Sequence, residues 1–396
     1  MHLVLEKYKS AVSKELISIL DWWYKHMIDN DNGGFWGSVN NYNQISPDAP
    51  KGIVLNSRIC WAFSAAYLQK NDLQYLQIAS RAFDYIKKHF IDEDYGGVYW
   101  SVDESGKMLD GRKQIYGLAF TIYAFAEYYK VTNNNETLSI AKDLFLTIEK
   151  YSFDKSKTGY IEAFARDWSS SDDLRLSEKD DNQKKTMNTH LHIIEAYANL
   201  YSVWPDTGLK KKILLLLDNF NQHIVNPKNY HLNLFMDEDW NVHSSLISYG
   251  HDIEAAWLLQ ECTEIVGETS YIEKYKSIAV KMADAALEGW DIKNGGLWYE
   301  YDTATNHWQN EKHWWPQAEA MVGFFNAYQI TGDEKYLHLS ELSFDFITKH
   351  LKDKINGEWF WGINENGTLM EKEKAGFWKC PYHNSRACIE IIKRLS

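Results

Sequence analysis

A short glycine–aromatic motif returns about every 60 residues along this 396-residue chain, and such a period indicates a repeat architecture. The motif occurs as NGGFWG (32–37), YGGVYW (95–100), TGYIEAF (158–164), NGGLWYE (294–300) and NGEWFW (356–361). The interval between the third and fourth copies is about twice as long as the others. We therefore expect a degenerate copy in the stretch that starts at Asn233, which makes six units.

Each motif lies between two different kinds of predicted helix. The runs before the motifs are amphipathic and rich in Lys, at 73–90, 136–151, 209–224, 271–290 and 335–351. The runs after them are apolar nearly all round, as expected of buried helices, at 55–68, 115–129, 187–201, 248–262, 314–328 and 382–395. The alternation predicts an all-α fold, an (α/α)6 barrel of six inner and six outer helices. We expect a single domain over residues 1–396, with short β-ribbons formed by the motifs at the active-site end.

Charge and composition exclude several classes of function. The formal net charge is −13 and no Lys/Arg run stands out, which argues against nucleic acid and anionic membranes as partners. The four cysteines form no CxxC pair, so we expect reduced thiols. The N-terminal stretch has no uncharged apolar region and no small-residue cleavage site, so we expect no signal peptide. No apolar run reaches the roughly 18–20 residues of a membrane helix. We therefore expect a cytoplasmic protein.

The aromatic content is high, at 15% of the chain. A large aromatic core is the simplest explanation. Aromatic rings are also the surfaces on which sugars pack, because the C–H-rich face of a sugar is apolar while its hydroxyls need polar neighbours. The second explanation gains weight only if tryptophans lie near the polar starts of the inner helices.

Those polar starts form a candidate site. The inner helices of such a barrel run parallel, so their first turns converge at one end. These turns carry Asn56, Arg58, Tyr116, Asn188, His190, His192, His251, Glu254, Trp314, Trp315, Gln317, His383 and Arg386. A lone histidine is more often a hydrogen-bonded core residue than a functional one. Polar groups buried together in six helices nevertheless cost stability unless they are satisfied or used.

The residue types favour proton transfer. Histidine both takes and gives a proton near neutral pH. His251 and Glu254 share a helix face, so we expect Glu254 to hold the imidazole. His190 and His192 lie two residues apart, so only one of them faces the barrel axis. Converging helix N-termini and Arg58 would stabilise an oxyanion, which suits proton abstraction next to a carbonyl.

Other functions remain open at this point. An inverting glycoside hydrolase needs two opposed carboxylates, and only Glu254 is apparent, since Asp252 points elsewhere on its helix. A metal site would use the His-x-His and His-x-x-Glu spacings, but the ligand set is sparse. A sugar-binding protein with a decayed site is the third alternative. The charged stretch 169–185 is either a solvated loop or a flap over the barrel mouth.

The stretches KGIVLNSRICWAFSAAY, KTMNTHLHIIEAY, SYGHDIEAAWLL, WWPQAEAMVGFFNAYQ and WKCPYHNSRACIEII resemble the cellobiose 2-epimerases, within the N-acylglucosamine 2-epimerase superfamily. The resemblance runs from about residue 10 to the C-terminus, and it implies an (α/α)6 barrel. It also implies inversion at C2 of a reducing-end sugar through ring opening and a cis-enediolate. It gives catalytic roles to Arg58, His192, His251, Glu254 and His383.

The same resemblance assigns substrate contacts to Tyr116, Asn188, Trp314, Trp315 and Trp378. It implies no cofactor and no metal, and the sequence has no dinucleotide-binding or P-loop motif. The expected partner is a small sugar, and the expected assembly is a monomer or a weak homodimer. The expected substrate is a β-1,4-linked disaccharide such as cellobiose or lactose. A mannose/glucose 2-epimerase and an aldose–ketose isomerase are the alternatives within the superfamily.

Overall fold

The computed structural model describes residues 2–396, which form twelve α-helices in two concentric rings. The predicted (α/α)6 barrel is confirmed. The outer helices are α1 (His2–His26), α3 (Leu73–His89), α5 (Asn135–Tyr151), α7 (Thr207–Asn219), α9 (Thr269–Ala286) and α11 (Glu334–Phe346). The inner helices are α2 (Ile53–Lys70), α4 (Ile115–Thr132), α6 (Met187–Val203), α8 (Tyr249–Val266), α10 (Trp314–Thr331) and α12 (His383–Arg394).

Burial separates the two rings as the sequence pattern predicts. Every residue of α4 from Ile115 to Tyr128 is buried, because the helix is enclosed on all sides. In α3, by contrast, the buried residues are spaced along one face: Tyr75, Ile78, Ala79, Ala82, Phe83, Tyr85 and Ile86. The outer helices therefore cover the inner ring and leave their charged faces to solvent.

The two ends of the barrel are built differently. At one end an inner helix passes to the next outer helix within a few residues. Asn71 closes α2 in a left-handed conformation, and the Asp72 side chain then caps the N-terminus of α3. At the other end the connections are long and carry the glycine–aromatic motifs. The inner helices begin at this second end, so their first turns meet there.

The missing copy of the motif, the fourth along the chain, lies at 229–234 and begins four residues before the predicted start. An antiparallel bridge between Val225 and Leu232 there matches the Ile28–Phe35 bridge of the first copy. Tyr230 takes the left-handed conformation, with φ of 62°, that a glycine adopts in other copies. The prediction that this copy begins at Asn233 is wrong because the unit has Tyr and His where the others have glycine.

Short antiparallel strands join the connections, as predicted. They are β1 (Lys51–Gly52), β2 (Ser101–Val102), β3 (Met108–Asp110), β4 (Lys113–Gln114), β5 (Ala163–Phe164), β6 (Lys185–Thr186), β7 (Phe235–Met236), β8 (Leu246–Ser248), β9 (Glu300–Asp302), β10 (His307–Gln309), β11 (Lys312–His313) and β12 (Gly362–Ile363). Their orders are β1-β2-β3, β10-β9-β8, β4-β5, β6-β7 and β11-β12. Strands β1, β4, β6, β8 and β11 lead directly into inner helices and so fix where those helices start.

A buried lysine–aspartate pair recurs in these connections. In the first, Lys51 Nζ lies 2.7 Å from Asp29 Oδ2, and Asp29 Oδ1 accepts the backbone N–H groups of the glycine turn. Equivalent pairs within residues 2–396 are Lys113–Asp92, Lys185–Asp154, Lys312–Asp291 and Lys374–Asp353. Each pair ties a turn to the segment that leads into an inner helix. None of these residues was singled out from the sequence.

The fourth connection, between α7 and α8, has no lysine–aspartate pair at the equivalent positions. Asn226 and Ile247 stand where the other units have Asp and Lys. The turn is held instead by Asp252 of α8, which accepts from the Leu232 N–H at 2.9 Å and lies 2.7 Å from His231 Nδ1. Asp252 thus points away from the barrel axis, as the sequence predicts.

The ring closes where α12 packs against α1 and α2. Buried contacts between distant parts of the chain stabilise the closure, among them Trp359 Nε1 donating to Glu15 at 2.8 Å. Within residues 2–396, no helix combines the length and the apolar character that crossing a membrane requires.

Candidate active site

The first turns of the inner helices meet in one aromatic and charged cluster at the motif-bearing end. Arg58 of α2 donates to the Tyr116 hydroxyl of α4 at 2.8 Å. The Tyr116 ring lies 5.1 Å from the His192 ring of α6 and 6.1 Å from Trp378. The predicted convergence is therefore present in the structure.

The other half of the cluster centres on Trp315 of α10. Its ring lies 4.6 Å from the His251 imidazole of α8 and 5.6 Å from that of His383 of α12. The two imidazoles come from different helices, and their shared contact with one indole brings them close together. Trp314, the neighbouring residue, is buried, and its ring packs edge-on against Trp361 at 4.6 Å.

Arg58 is buried and has no carboxylate partner within residues 2–396, which removes the interpretation that it merely forms an ion pair. Its guanidinium lies against the rings of Phe120 and Tyr382, at 4.2 and 4.6 Å. Its remaining contacts are weak, to the Trp378 carbonyl at 3.4 Å and Cys380 Sγ at 3.5 Å. A buried cation without an anion is well suited to bind a negatively charged oxygen.

Two of the imidazoles are held by carboxylates. His192 Nδ1 lies 2.8 Å from Glu195, and His383 Nδ1 lies 2.6 Å from Glu319. A carboxylate acceptor keeps the proton on Nδ1 and leaves Nε2 free to act as a base. Neither Nε2 atom makes a hydrogen bond to residues 2–396.

His251 is held differently from the prediction. Its Nδ1 lies 2.8 Å from the Ser248 hydroxyl, and Glu254 binds Arg386 instead. The prediction that Glu254 holds this imidazole is wrong, because the guanidinium, a full charge, draws the carboxylate toward α12. Burial lowers the pKa of His251 to about 3, and the positive charge of Lys179 acts in the same direction. The imidazole is therefore neutral at physiological pH.

His190 lies outside the site, and His192 is the one that faces the axis. His190 Nδ1 lies 2.7 Å from the Thr186 carbonyl, and its Nε2 accepts from the Tyr160 N–H at 2.9 Å. His190 thus accepts a backbone N–H of the third glycine–aromatic motif, as Asp252 and Gln317 do in the fourth and fifth motifs. Burial lowers the pKa of His190 to about 4, so it stays neutral in this structural role.

Arg386 joins the buried carboxylates. Its terminal nitrogens lie 2.6 Å from Glu195, Glu254 and Glu319. Burial raises the pKa of Glu254 to about 8, and the nearby Glu319 charge adds to the rise.

This cluster bears on two of the alternatives. Glu254, Glu319 and His383 place ligand-type atoms within 4.8 Å of one another, as a metal site would. The guanidinium of Arg386 already binds both carboxylates, so a cation stands there. The same carboxylates lie side by side rather than facing each other across a substrate, which does not suit inverting glycoside hydrolysis.

The remaining predicted contacts lie at the mouth. Trp378 and Asn188 are half-buried, and Asn188 Oδ1 has no hydrogen-bond partner within the described residues. The segment 169–185 crosses this mouth. Gln114 donates to the carbonyls of Leu174 and Arg175, and Lys179 binds the Tyr299 hydroxyl. Tyr299 in turn packs edge-on against Trp315 at 6.4 Å.

The sequence reasoning missed Glu195 and Glu319, and it named Arg386 without a role. One signal was available: a carboxylate in the middle of a helix that is apolar all round must have a partner. Glu195 also lies three residues after His192, on the same helix face. The partner of Glu319 could not be found this way, because His383 is on another helix.

Comparison with known proteins gives a consistent result. The family profile described as N-acylglucosamine 2-epimerase (GlcNAc 2-epimerase) matches residues 34–387. A cellobiose 2-epimerase of Bacteroides fragilis is 44% identical over 389 residues, covering 98% of this chain and 99% of that protein. One from Dictyoglomus turgidum is 37% identical over 392 residues, covering 99% and 100%. The solved cellobiose 2-epimerase of Bacillus thermoamylovorans B4167 superposes with a TM-score of 0.94 at 39% identity, covering 98% and 100%.

Proposed function

Because the chain belongs to the N-acylglucosamine 2-epimerase family and is therefore a carbohydrate epimerase, we propose that it inverts C2 of the reducing-end sugar of β-1,4-linked disaccharides. Cellobiose would give glucosyl-mannose, and lactose would give epilactose. One observation carries the proposal: His251 and His383 pack on the single indole of Trp315, and Arg58 lies in the same cluster without a counterion.

The reaction begins with ring opening. Neutral His383 takes the proton of the C1 hydroxyl and becomes an imidazolium, while a proton from solvent reaches the ring oxygen, so that the C1–O5 bond breaks and an aldehyde forms. The Nδ1–Glu319 hydrogen bond supports this role, because it leaves Nε2 as the atom that exchanges protons with the sugar.

Inversion then takes two proton transfers at C2. One imidazole removes the C2 proton, and the electron pair moves to O1 to give a cis-enediolate. The other imidazole returns a proton to the opposite face, the carbonyl reforms and the ring closes. At this stage one imidazole must be neutral and the other protonated, and His383 holds the proton that it took from the C1 hydroxyl.

The surroundings support this division of protonation states. Burial lowers the pKa of both His251 and His383. Only His383 has a carboxylate at Nδ1, and such a charge-assisted bond stabilises an imidazolium. His251 has only the Ser248 hydroxyl there and remains the neutral base.

Arg58 is the group that stabilises the enediolate. Its planar fork can donate two parallel bonds to a cis pair of oxygens, and its aromatic surroundings exclude water. Tyr116 holds the guanidinium in place by accepting one of its hydrogen bonds.

The second sugar of a disaccharide needs an aromatic surface outside the catalytic cluster. Trp378 supports this part of the proposal, because it is half-buried at the mouth and its ring packs at an angle against Tyr116 and Trp100 rather than against the histidines. A mannose/glucose epimerase would not need such a surface.

Incubation of the protein with cellobiose in D2O, followed by NMR, tests the proposal. We expect glucosyl-mannose to appear with deuterium at C2. Free glucose would instead indicate a hydrolase, and deuterium at C1 of a ketose would indicate an isomerase. Faster turnover of mannose than of cellobiose would contradict the disaccharide assignment.

A further inference from the structure

The guanidinium of Arg386 is the point at which four inner helices meet. Arg386 is on α12, and the carboxylates that it binds come from α6 (Glu195), α8 (Glu254) and α10 (Glu319). The arginine and all three carboxylates are at most 4% exposed. None of the inferred proton-transfer atoms belongs to Arg386, so the reaction as described leaves it without a function.

The bound carboxylates are the same ones that hold the imidazoles. Glu195 accepts from His192 and also from the Tyr382 hydroxyl. Glu319 accepts from His383, while its other oxygen accepts from Trp257 Nε1 at 3.0 Å. A substitution at Arg386 should therefore alter the surroundings of two imidazoles on different helices, His192 and His383.

We propose that Arg386 is a positioning residue for the epimerisation: by binding Glu195 and Glu319 together, it keeps both ionised and so fixes His192 and His383 with the proton on Nδ1. This inference rests on the proposed function as far as its effect on turnover is concerned. The hydrogen-bonding state of the two imidazoles is a separate, directly measurable consequence.

The physical reason is the cost of burying like charges. Three adjacent carboxylates cannot all stay ionised away from water unless a cation compensates them. Burial alone would raise the pKa of Glu195, but Arg386 is the largest of the influences that bring it down to about 2. Burial raises the pKa of Glu319 above its usual value, and Arg386 is the largest of the influences that oppose the rise. Without the guanidinium, both carboxylates would take up protons more readily. A neutral carboxyl is a weaker acceptor for the Nδ1 proton, so each imidazole could adopt the other tautomer, with its proton on Nε2 and directed toward the substrate.

The geometry requires an arginine rather than any cation. One terminal nitrogen serves Glu195 and Tyr382, and the other serves Glu254 and Glu319. The guanidinium plane lies between the rings of Tyr382 and Trp257, at 4.0 and 4.9 Å. A lysine ammonium is a single point of charge and could not reach all three acceptors.

The charged and titratable groups that face this centre come from every inner helix. They are Arg58 on α2, Tyr116 and Tyr123 on α4, His192 and Glu195 on α6, His251 and Glu254 on α8, Glu319 on α10, and Tyr382, His383 and Arg386 at α12. Burial and the positive charge of Arg58 lower the pKa of His383, and the positive charge of Arg386 acts in the same direction.

The first measurement uses the unaltered protein. Long-range 1H–15N NMR of the imidazoles should show the Nδ1–H tautomer for both His192 and His383. The Nε2–H tautomer at either histidine would overturn the proposal. This readout does not depend on activity, so it decides the inference even if the protein fails to epimerise cellobiose, a failure that would count against the proposed function alone.

The second measurement compares Arg386→Lys with Arg394→Lys, a control two turns further along α12, where the arginine binds Asn326 and Gln329. We expect Arg386→Lys to unfold cooperatively and to lower kcat about 10- to 100-fold with a much smaller change in KM. The control should keep the wild-type kcat and KM. Wild-type kcat in a folded Arg386→Lys variant would also overturn the proposal.

Discussion

His383 Nδ1 lies 2.6 Å from Oε1 of Glu319, and the two residues belong to different inner helices, α12 and α10. The pair therefore exists only when the barrel is closed. It also distinguishes His383 from His251, whose Nδ1 meets a neutral hydroxyl. The two proposed proton-transfer groups thus differ in electrostatic surroundings although they pack on the same indole.

Replacement of the carboxylate tests the importance of that difference. Glu319→Gln preserves the size of the side chain but removes the charge that stabilises the His383 imidazolium. We expect kcat for cellobiose to fall by about 10- to 100-fold. Steady-state kinetics check this, with the exposed Glu365→Gln as the matched control. A Glu319→Gln enzyme with unchanged kcat would show that the carboxylate only supports the fold.

The imidazoles themselves should be far more sensitive. We expect His251→Ala and His383→Ala each to lower kcat by at least about 100-fold, because each removes a positioned acid/base group. Epimerisation of cellobiose is the assay, and His338→Ala, at an exposed histidine of α11, is the control. Mild effects from both substitutions would mean that other groups carry the protons.

Trp378 should affect the choice of substrate. If the second sugar packs on this ring, Trp378→Ala should lower kcat/KM for cellobiose about tenfold, corresponding to one lost sugar–aromatic contact. Turnover of mannose, which has no second sugar, is the internal control and should change much less. Equal losses for both substrates would place the indole at the reacting sugar instead.

The lysine–aspartate pairs give a prediction about stability. Lys51→Ile leaves the buried Asp29 charge without its partner and should lower the free energy of unfolding by about 3–5 kcal/mol. The double variant Lys51→Ile/Asp29→Asn reproduces the Ile247 and Asn226 combination of the fourth unit. It should lose much less, because Asn keeps an oxygen for the turn N–H groups. Urea unfolding measures both, and equal losses would refute the account.

The fourth unit should respond to pH. Burial alone would lower the pKa of His231, but the hydrogen bond to Asp252 and the charge of Glu288 raise it above 6.5. A raised pKa in the folded state stabilises the fold below the unfolded value and is lost as pH rises through the folded value. The stability difference between wild type and His231→Gln should therefore shrink as pH rises from about 6 to 9. Urea unfolding across this range, with His338→Gln as control, would contradict the account if the difference grew.

Local patterns were sufficient to predict the barrel and the cluster. Helix period, burial pattern and glycine spacing are properties of short segments, so they predicted the alternating helices and the convergence of Arg58, His251 and His383. Pairings between side chains that are far apart in the sequence leave no such pattern within a short segment. The lysine–aspartate pairs and the Glu319–His383 contact were missed for this reason, and Glu254 was assigned to the nearer histidine although a stronger partner lies on α12.

The closure of the ring by α12 has a consequence for biosynthesis. His383 and Arg386 belong to the helix that leaves the ribosome after the other eleven. Until it emerges, the carboxylates on α6, α8 and α10 face one another without their cation, and no imidazole stands opposite His251. In the proposed mechanism the nascent chain therefore lacks one of its two proton-transfer groups, and the insertion of this one helix completes both the fold and the set of reacting groups.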